Sequence, residues 1–343
     1  MHETMDAAAS SGEQRRDNFY SFICHRLEGI RLMTMADLLE YVEDKAAFET
    51  LLNALDVPAF AIKNPTVVGR LRPKEPLVLE DFKFLRRHTR KPVKVTLPGP
   101  YLLSRSTWVK DLSETAYPTR EALADDIVQI LRGELHAFAA GGADVVQFDE
   151  PVLTELVFAG KSATRTFMCA ALAASASPEG ELDFAVELLN RVVDGIDGPI
   201  LALHVCRGNW SQKEEVLLQG SYEALMPYFR RMKLQQFVLE YATPRAGPLE
   251  ALRELPPHAQ VGFGSVNPRT LALEPPDEIA ARVKRLAELI EPERIFLNPD
   301  CGFGTFADRP VGTPERAFKK LCALSRAAAI LREAPLARRP ATA

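Results

Sequence analysis

The 343-residue chain is poor in cysteine, in net charge and in long apolar runs. Its five cysteines, Cys24, Cys169, Cys206, Cys301 and Cys322, are too few and too scattered to staple a chain of this length, and no basic leader with an apolar stretch precedes them. That usage points to a reducing, cytoplasmic compartment. With 42 basic against 46 acidic residues the formal charge is -4, so no net field draws the chain to nucleic acid or to an anionic membrane. Apolar segments such as 143–148 are bounded by charge or glycine, far below the ~18 residues of a membrane span. Nucleotide fingerprints are missing as well. Gly262-Phe263-Gly264 and Gly302-Phe303-Gly304 lack the third glycine, the lysine or the acidic follower, and read as glycines that let the backbone turn. A small molecule is the partner these absences leave.

What is present is material for a large core: 47% of residues are hydrophobic and 26% charged, which excludes a disordered or fibrous chain. Six short apolar runs, 93–97, 144–148, 201–205, 237–239, 261–263 and 295–297, each stop at proline, glycine or a polar residue and read as strands. Helical spacing fills the intervals, over 120–140, 182–193, 222–231 and 277–289. Alternating β and α with near-continuously apolar strands implies buried parallel pairing, in a doubly wound sheet or a closed barrel. No linker-like stretch interrupts 80–310, so 12–334 reads as one domain, with unstructured ends at 1–11 and 335–343.

Polar residues collect where these strands end. In a parallel barrel the carboxyl ends of the strands form the working face. Here they carry Asp149-Glu150, His204 and Cys206, Glu240, Asn267, and Cys301 within Asn-Pro-Asp-Cys-Gly. The two-residue period of a strand points His204 and Cys206 to one side, and with Glu240 and Cys301 they form a donor set of nitrogen, sulfur and oxygen that suits zinc. A buried cysteine also serves as a small hydrophobe and a buried histidine as a satisfied core group, so spacing alone leaves both readings open. Of Asp149 and Glu150, one carboxylate faces the mouth and its neighbour faces away. The pair suits gripping an ammonium or accepting a proton, or capping a helix.

The motifs Val-Gln-Phe-Asp149-Glu150-Pro, His204-Val-Cys206-Arg-Gly-Asn, Leu-Glu240-Tyr-Ala and Asn-Pro-Asp-Cys301-Gly stand in the order of a known family. They resemble the catalytic barrel of the cobalamin-independent methionine synthases and their single-barrel relatives, over most of 12–330. The resemblance implies a (β/α)8 TIM barrel. It implies zinc on His204, Cys206, Glu240 and Cys301, and a methyl transfer to the zinc-activated thiol of homocysteine that gives methionine. Gly12-Glu13 resembles the family's Gly-Glu motif, so Glu13 and Asp149 inherit the grip on the substrate ammonium. Asn267 is a further substrate-contact candidate, although an amide cannot act as a general acid. Pro98-Gly99-Pro100 resembles the loop beside the methyl donor, a methylated folate or another carrier.

Three features depart from that pattern. Ser106 stands where the folate-using enzymes place a tryptophan, with Trp108 two residues on, and Asn267 lies where a histidine-bearing segment is expected. Only Met1 to Ser11 precede the Gly-Glu motif, and they are a poor strand, so the barrel is expected to lack its first strand unless residues such as 60–68 repair the sheet. The alternatives are an alkyltransferase of the epoxyalkane:coenzyme M type or a non-catalytic barrel remnant. Cys24, Cys169 and Cys322 receive no role.

Overall fold

A computed structural model describes residues 8–13, 15–41, 45–46, 63–158, 177–304, 306–307 and 310–333. All six expected strands form, as β3 (Lys94–Pro98), β4 (Val145–Asp149), β5 (Ile200–Val205), β6 (Gln236–Glu240), β7 (Gln260–Val266) and β8 (Ile295–Pro299). They make one parallel sheet in the order β3-β4-β5-β6-β7-β8. From β4 onward each strand therefore pairs with its predecessor in the chain. That order belongs to a barrel, because a doubly wound sheet reverses its order at a switch point.

The two faces of the strands meet different surroundings. In β4, Val146 and Phe148 enter the apolar core, while Gln147 and Asp149 alternate toward the barrel interior. The register sets Pro98 beside Asp149, Asp149 beside His204, and Glu240 beside Gly264, so the polar strand ends are level with one another. Helices pack outside. The helix Arg120–Ala140 starts where Thr119 accepts from the Ala122 amide at 3.2 Å. The helix Pro276–Ala287 opens on prolines, with Asp277 and Glu278 in its first turn and Lys284 and Arg285 in its last, as the helix dipole favours.

The ends of the sheet differ from expectation. Ala9, in the stretch expected to be unstructured, forms a parallel bridge to Val93: its amide donates to Pro92 O at 2.7 Å and its carbonyl accepts from Lys94 N at 2.9 Å. The free side of β3 is thus covered by one rung of backbone pairing. The strand β2 (Lys63–Pro73) does not repair the barrel; it pairs antiparallel with β1 (Leu27–Thr34) in a separate two-stranded sheet. Residues 60–62 of the expected repair segment, Cys169 and the expected tail at 335–343 lie outside the described residues. At the other end, β8 pairs only with β7 among the described residues, and all five of its residues are half-buried.

Gly262 and Gly264 lie inside β7 rather than in turns, and neither has a positive φ. Their role is space. A Cβ on Gly264 would sit 2.5 Å from Asp300 Oδ1 and 2.6 Å from Leu239 O.

Candidate active site

The site begins with β5, whose tip carries His204 inward. Its Nδ1 lies 2.9 Å from Val238 O. With Nδ1–H donated to that carbonyl, Nε2 is the nitrogen left to bind a metal. Cys206 follows two residues on, and Cys301 arrives from the loop after β8. One donor atom from each of the three lies within 4.8 Å of the other two. A tetrahedral zinc with Zn–S near 2.3 Å spaces its ligands at about 3.8 Å, so nitrogen and two sulfurs at this separation fit that ion.

Tyr222 fixes the tips of β5 and β6, donating to Val205 O at 2.6 Å and accepting from Glu240 N at 3.0 Å. Glu240 is 1% exposed. Its Oε1 accepts from Arg245 Nη2 at 3.0 Å and lies 3.4 Å from Cys301 Sγ, while its Oε2 accepts from the Arg207 amide at 2.8 Å. Arg269 approaches the same carboxylate at 3.8 Å. Glu240 thus borders the three-donor cluster while held by guanidinium groups. Arg245 and Arg269 were not legible as site residues; their only sequence signal is a basic residue just beyond a strand end, after Pro244 and after Asn267-Pro268.

The charges follow from these contacts. The hydrogen bond from Cys301, against the cost of burial and with help from His204, brings the Cys206 thiol down to about 5. The same bond, then burial, holds Cys301 well above the ordinary thiol range. Burial disfavours a charged imidazole at His204, but the bond and charge of Cys206 and the charge of Asp149 outweigh it and raise the group to about 9. Burial would also raise Glu240; Arg245, Arg269 and Arg207 together keep it below the usual carboxylate value.

The two carboxylates of Asp149-Glu150 divide as strand alternation requires. Asp149 faces the interior, accepts from Gln147 Nε2 at 2.7 Å, and is raised to about 7 by burial and by Glu13. Glu150 is fully buried beneath the next loop and accepts the amides of Tyr101 at 2.7 Å and Leu102 at 2.8 Å, at the start of the helix Pro100–Thr107. Glu150 is thus the capping carboxylate, and Asp149 the one that faces the interior. Glu13 sits on a backbone with φ +57°, a left-handed conformation disfavoured for side chains. Its Oε1 accepts from Arg16 Nη1 at 2.9 Å and from Thr96 Oγ1.

The remaining polar side chains of the rim are held by protein partners. Asn267 accepts from the Arg269 amide at 3.0 Å, and its Nδ2 reaches Glu214 at 3.4 Å, so its side chain braces the rim loops. Arg207 bonds Gly220 O and stacks 3.8 Å over Tyr222, and Asn209 donates to Gly302 O. Ser106 is buried, and the Trp108 indole donates to Tyr117 O at 3.1 Å.

The family described as cobalamin-independent synthase, catalytic domain, matches residues 53–320. The chain belongs to the cobalamin-independent methionine synthase family. A methionine synthase of Thermococcus kodakarensis is 30% identical over 302 residues, covering 88% of this chain and 76% of that protein. One from Pyrococcus abyssi is 31% identical over 267 residues, covering 78% of this chain and 65% of that protein. The fold is also that of a B12-independent methionine synthase from Shewanella sp. W3-18-1 in complex with selenomethionine, at TM-score 0.70, 22% identity, and 95% and 83% coverage. A structure described as the vitamin-B12 independent methionine synthase of Listeria monocytogenes gives TM-score 0.58 at 20% identity, covering 82% of this chain and 77% of that one. This chain of that methyltransferase family carries two thiols, a histidine and a glutamate at or just beyond its strand ends.

Proposed function

We propose that the chain transfers a methyl group to the thiol of homocysteine, giving methionine, with zinc on His204, Cys206 and Cys301 and Glu240 as the fourth, neighbouring oxygen donor. The observation that carries this reading is the convergence of one imidazole and two sulfurs, each within 4.8 Å of the others, on the rim that also holds Asp149. Zinc bound there lowers the thiol pKa of the substrate and so supplies a thiolate at neutral pH.

The remaining steps belong to the protein. Asp149 and Glu13 receive the substrate ammonium, and two carboxylates around one desolvated cation both offset its charge and direct its donors. Three arginines hold Glu240 ionised beside Cys301. The thiolate then attacks the methyl carbon of a methylated folate or another carrier, and the carrier leaves with the bonding pair. Ser106 has no aromatic face and Trp108 is half-buried against the core, so the assay includes carriers besides folate. No helix among the described residues is long and apolar enough to cross a membrane.

The test is elemental analysis followed by product analysis. About one zinc per chain is expected in the wild type and a loss of most of it in Cys301→Ser, with methionine formed from homocysteine only by the zinc-bearing protein. Folded wild type without zinc, or methionine formation undiminished in Cys301→Ser, would refute the proposal.

A further inference from the structure

Below the thiol cluster lie polar groups that the methyl transfer does not use. Lys94 opens β3, with Val95 and Leu97 turned into the apolar core; alternation therefore sends Lys94 inward beside Thr96. Its amide donates to Ala9 O, on the segment that leads to Glu13, and Thr96 Oγ1 donates to Glu13 itself. Across the next ladder, Thr96 is level with Gln147 and Pro98 with Asp149. Lys94, Glu13 and Asp149 thus border one interior space.

Among the described residues the Lys94 ammonium makes no hydrogen bond or ion pair, and the charges that act on it are those of Asp149 and Glu13. Burial lowers it to about 8, and the two carboxylates oppose that shift. Gln147 Oε1 is likewise buried without a partner, while Gln147 Nε2 supplies a hydrogen bond to Asp149. Two carboxylates facing one low-dielectric space repel each other strongly. Arg16 relieves that repulsion on the side of Glu13, and His204 lies on the far side of Asp149. Among the described residues, Lys94 acts on both from within.

We propose that Lys94 is a positioning residue: its ammonium, touching neither carboxylate, acts across the interior space as the common counter-charge of Glu13 and Asp149 and keeps the two facing a substrate ammonium, so that the site selects thiols of α-amino acids over plain thiols. This rests on the reading that Glu13 and Asp149 grip the ammonium of the substrate. Without Lys94 the carboxylates move apart under their own repulsion, and the part of binding that depends on an amino group is lost.

The test is calorimetry on the zinc-loaded protein with L-homocysteine and with 4-mercaptobutanoate, which lacks the amino group. Wild type is expected to prefer homocysteine by about tenfold or more. In Lys94→Met that preference falls by about fivefold or more with zinc content and Tm unchanged, and Lys94→Arg keeps it within about twofold. Should Lys94→Met fail to fold, Lys94→Gln carries the same comparison. A preference unchanged in the variant, or equal weakening of both thiols, overturns the role of Lys94 alone. A wild type that binds both thiols equally overturns the ammonium grip itself, and the proposal with it.

Discussion

Cys206, Cys301 and His204 share their protons unequally. At neutral pH, without metal, Cys206 is the thiolate, Cys301 keeps its proton, and His204, raised to about 9, carries a positive charge. Metal ligands must be deprotonated, so zinc uptake is expected to release about two protons per chain, one from His204 and one from Cys301. Calorimetry in buffers of different ionisation enthalpy counts them. Since the free site binds more protons than the loaded one, affinity should strengthen as pH rises, by about two decades per unit through neutrality and about one above the His204 transition. A flat profile would contradict the assigned protonation states. The sequence showed His204 and Cys206 because a two-residue spacing on a strand is local information. Arg245 and Arg269 were invisible to it, because a buried arginine is explained only by the carboxylate it meets, and it is the course of the rim loops that turns Arg245, five residues on, and the more distant Arg269 back onto Glu240.

The loop between β3 and the helix Pro100–Thr107 depends on one carboxylate beneath it. Glu150→Ala leaves the amides of Tyr101 and Leu102 unpaired in a buried place, at a cost of about 2–4 kcal/mol in a denaturant titration. A Cβ on Gly99 would sit 2.1 Å from Glu150 Oε1, so Gly99→Ala displaces the same carboxylate and the two changes should combine to less than their sum. Both should leave the homocysteine KM of the folded fraction unchanged, whereas Asp149→Asn should raise KM with little effect on stability. Strands and helices were legible because their periodicity is carried by neighbouring residues, and the helix Arg120–Ala140 has its expected bounds. The bridge at Ala9 was not: its small residues have little strand preference, and the pairing is dictated by the exposed backbone of the segment beside it.

For the molecule as a whole, the choice between a doubly wound sheet and a barrel was open in the sequence, because βα alternation is common to both. Spatial order decides it, and order is a long-range property. The sheet is also uneven: β4 and β6 are buried throughout, while β8 is half-buried along its length and paired on one side among the described residues. Amide exchange is therefore expected to be fastest in β8 and slowest in β4 and β6, and equal protection of all six strands would contradict that ranking. The order of the strands has a further consequence during synthesis. Each βα unit emerging from the ribosome finds its sheet neighbour already made, so β3 to β7 can assemble in sequence. Cys301 follows the last strand, and a nascent chain therefore carries an incomplete thiol set until its final barrel unit has been translated.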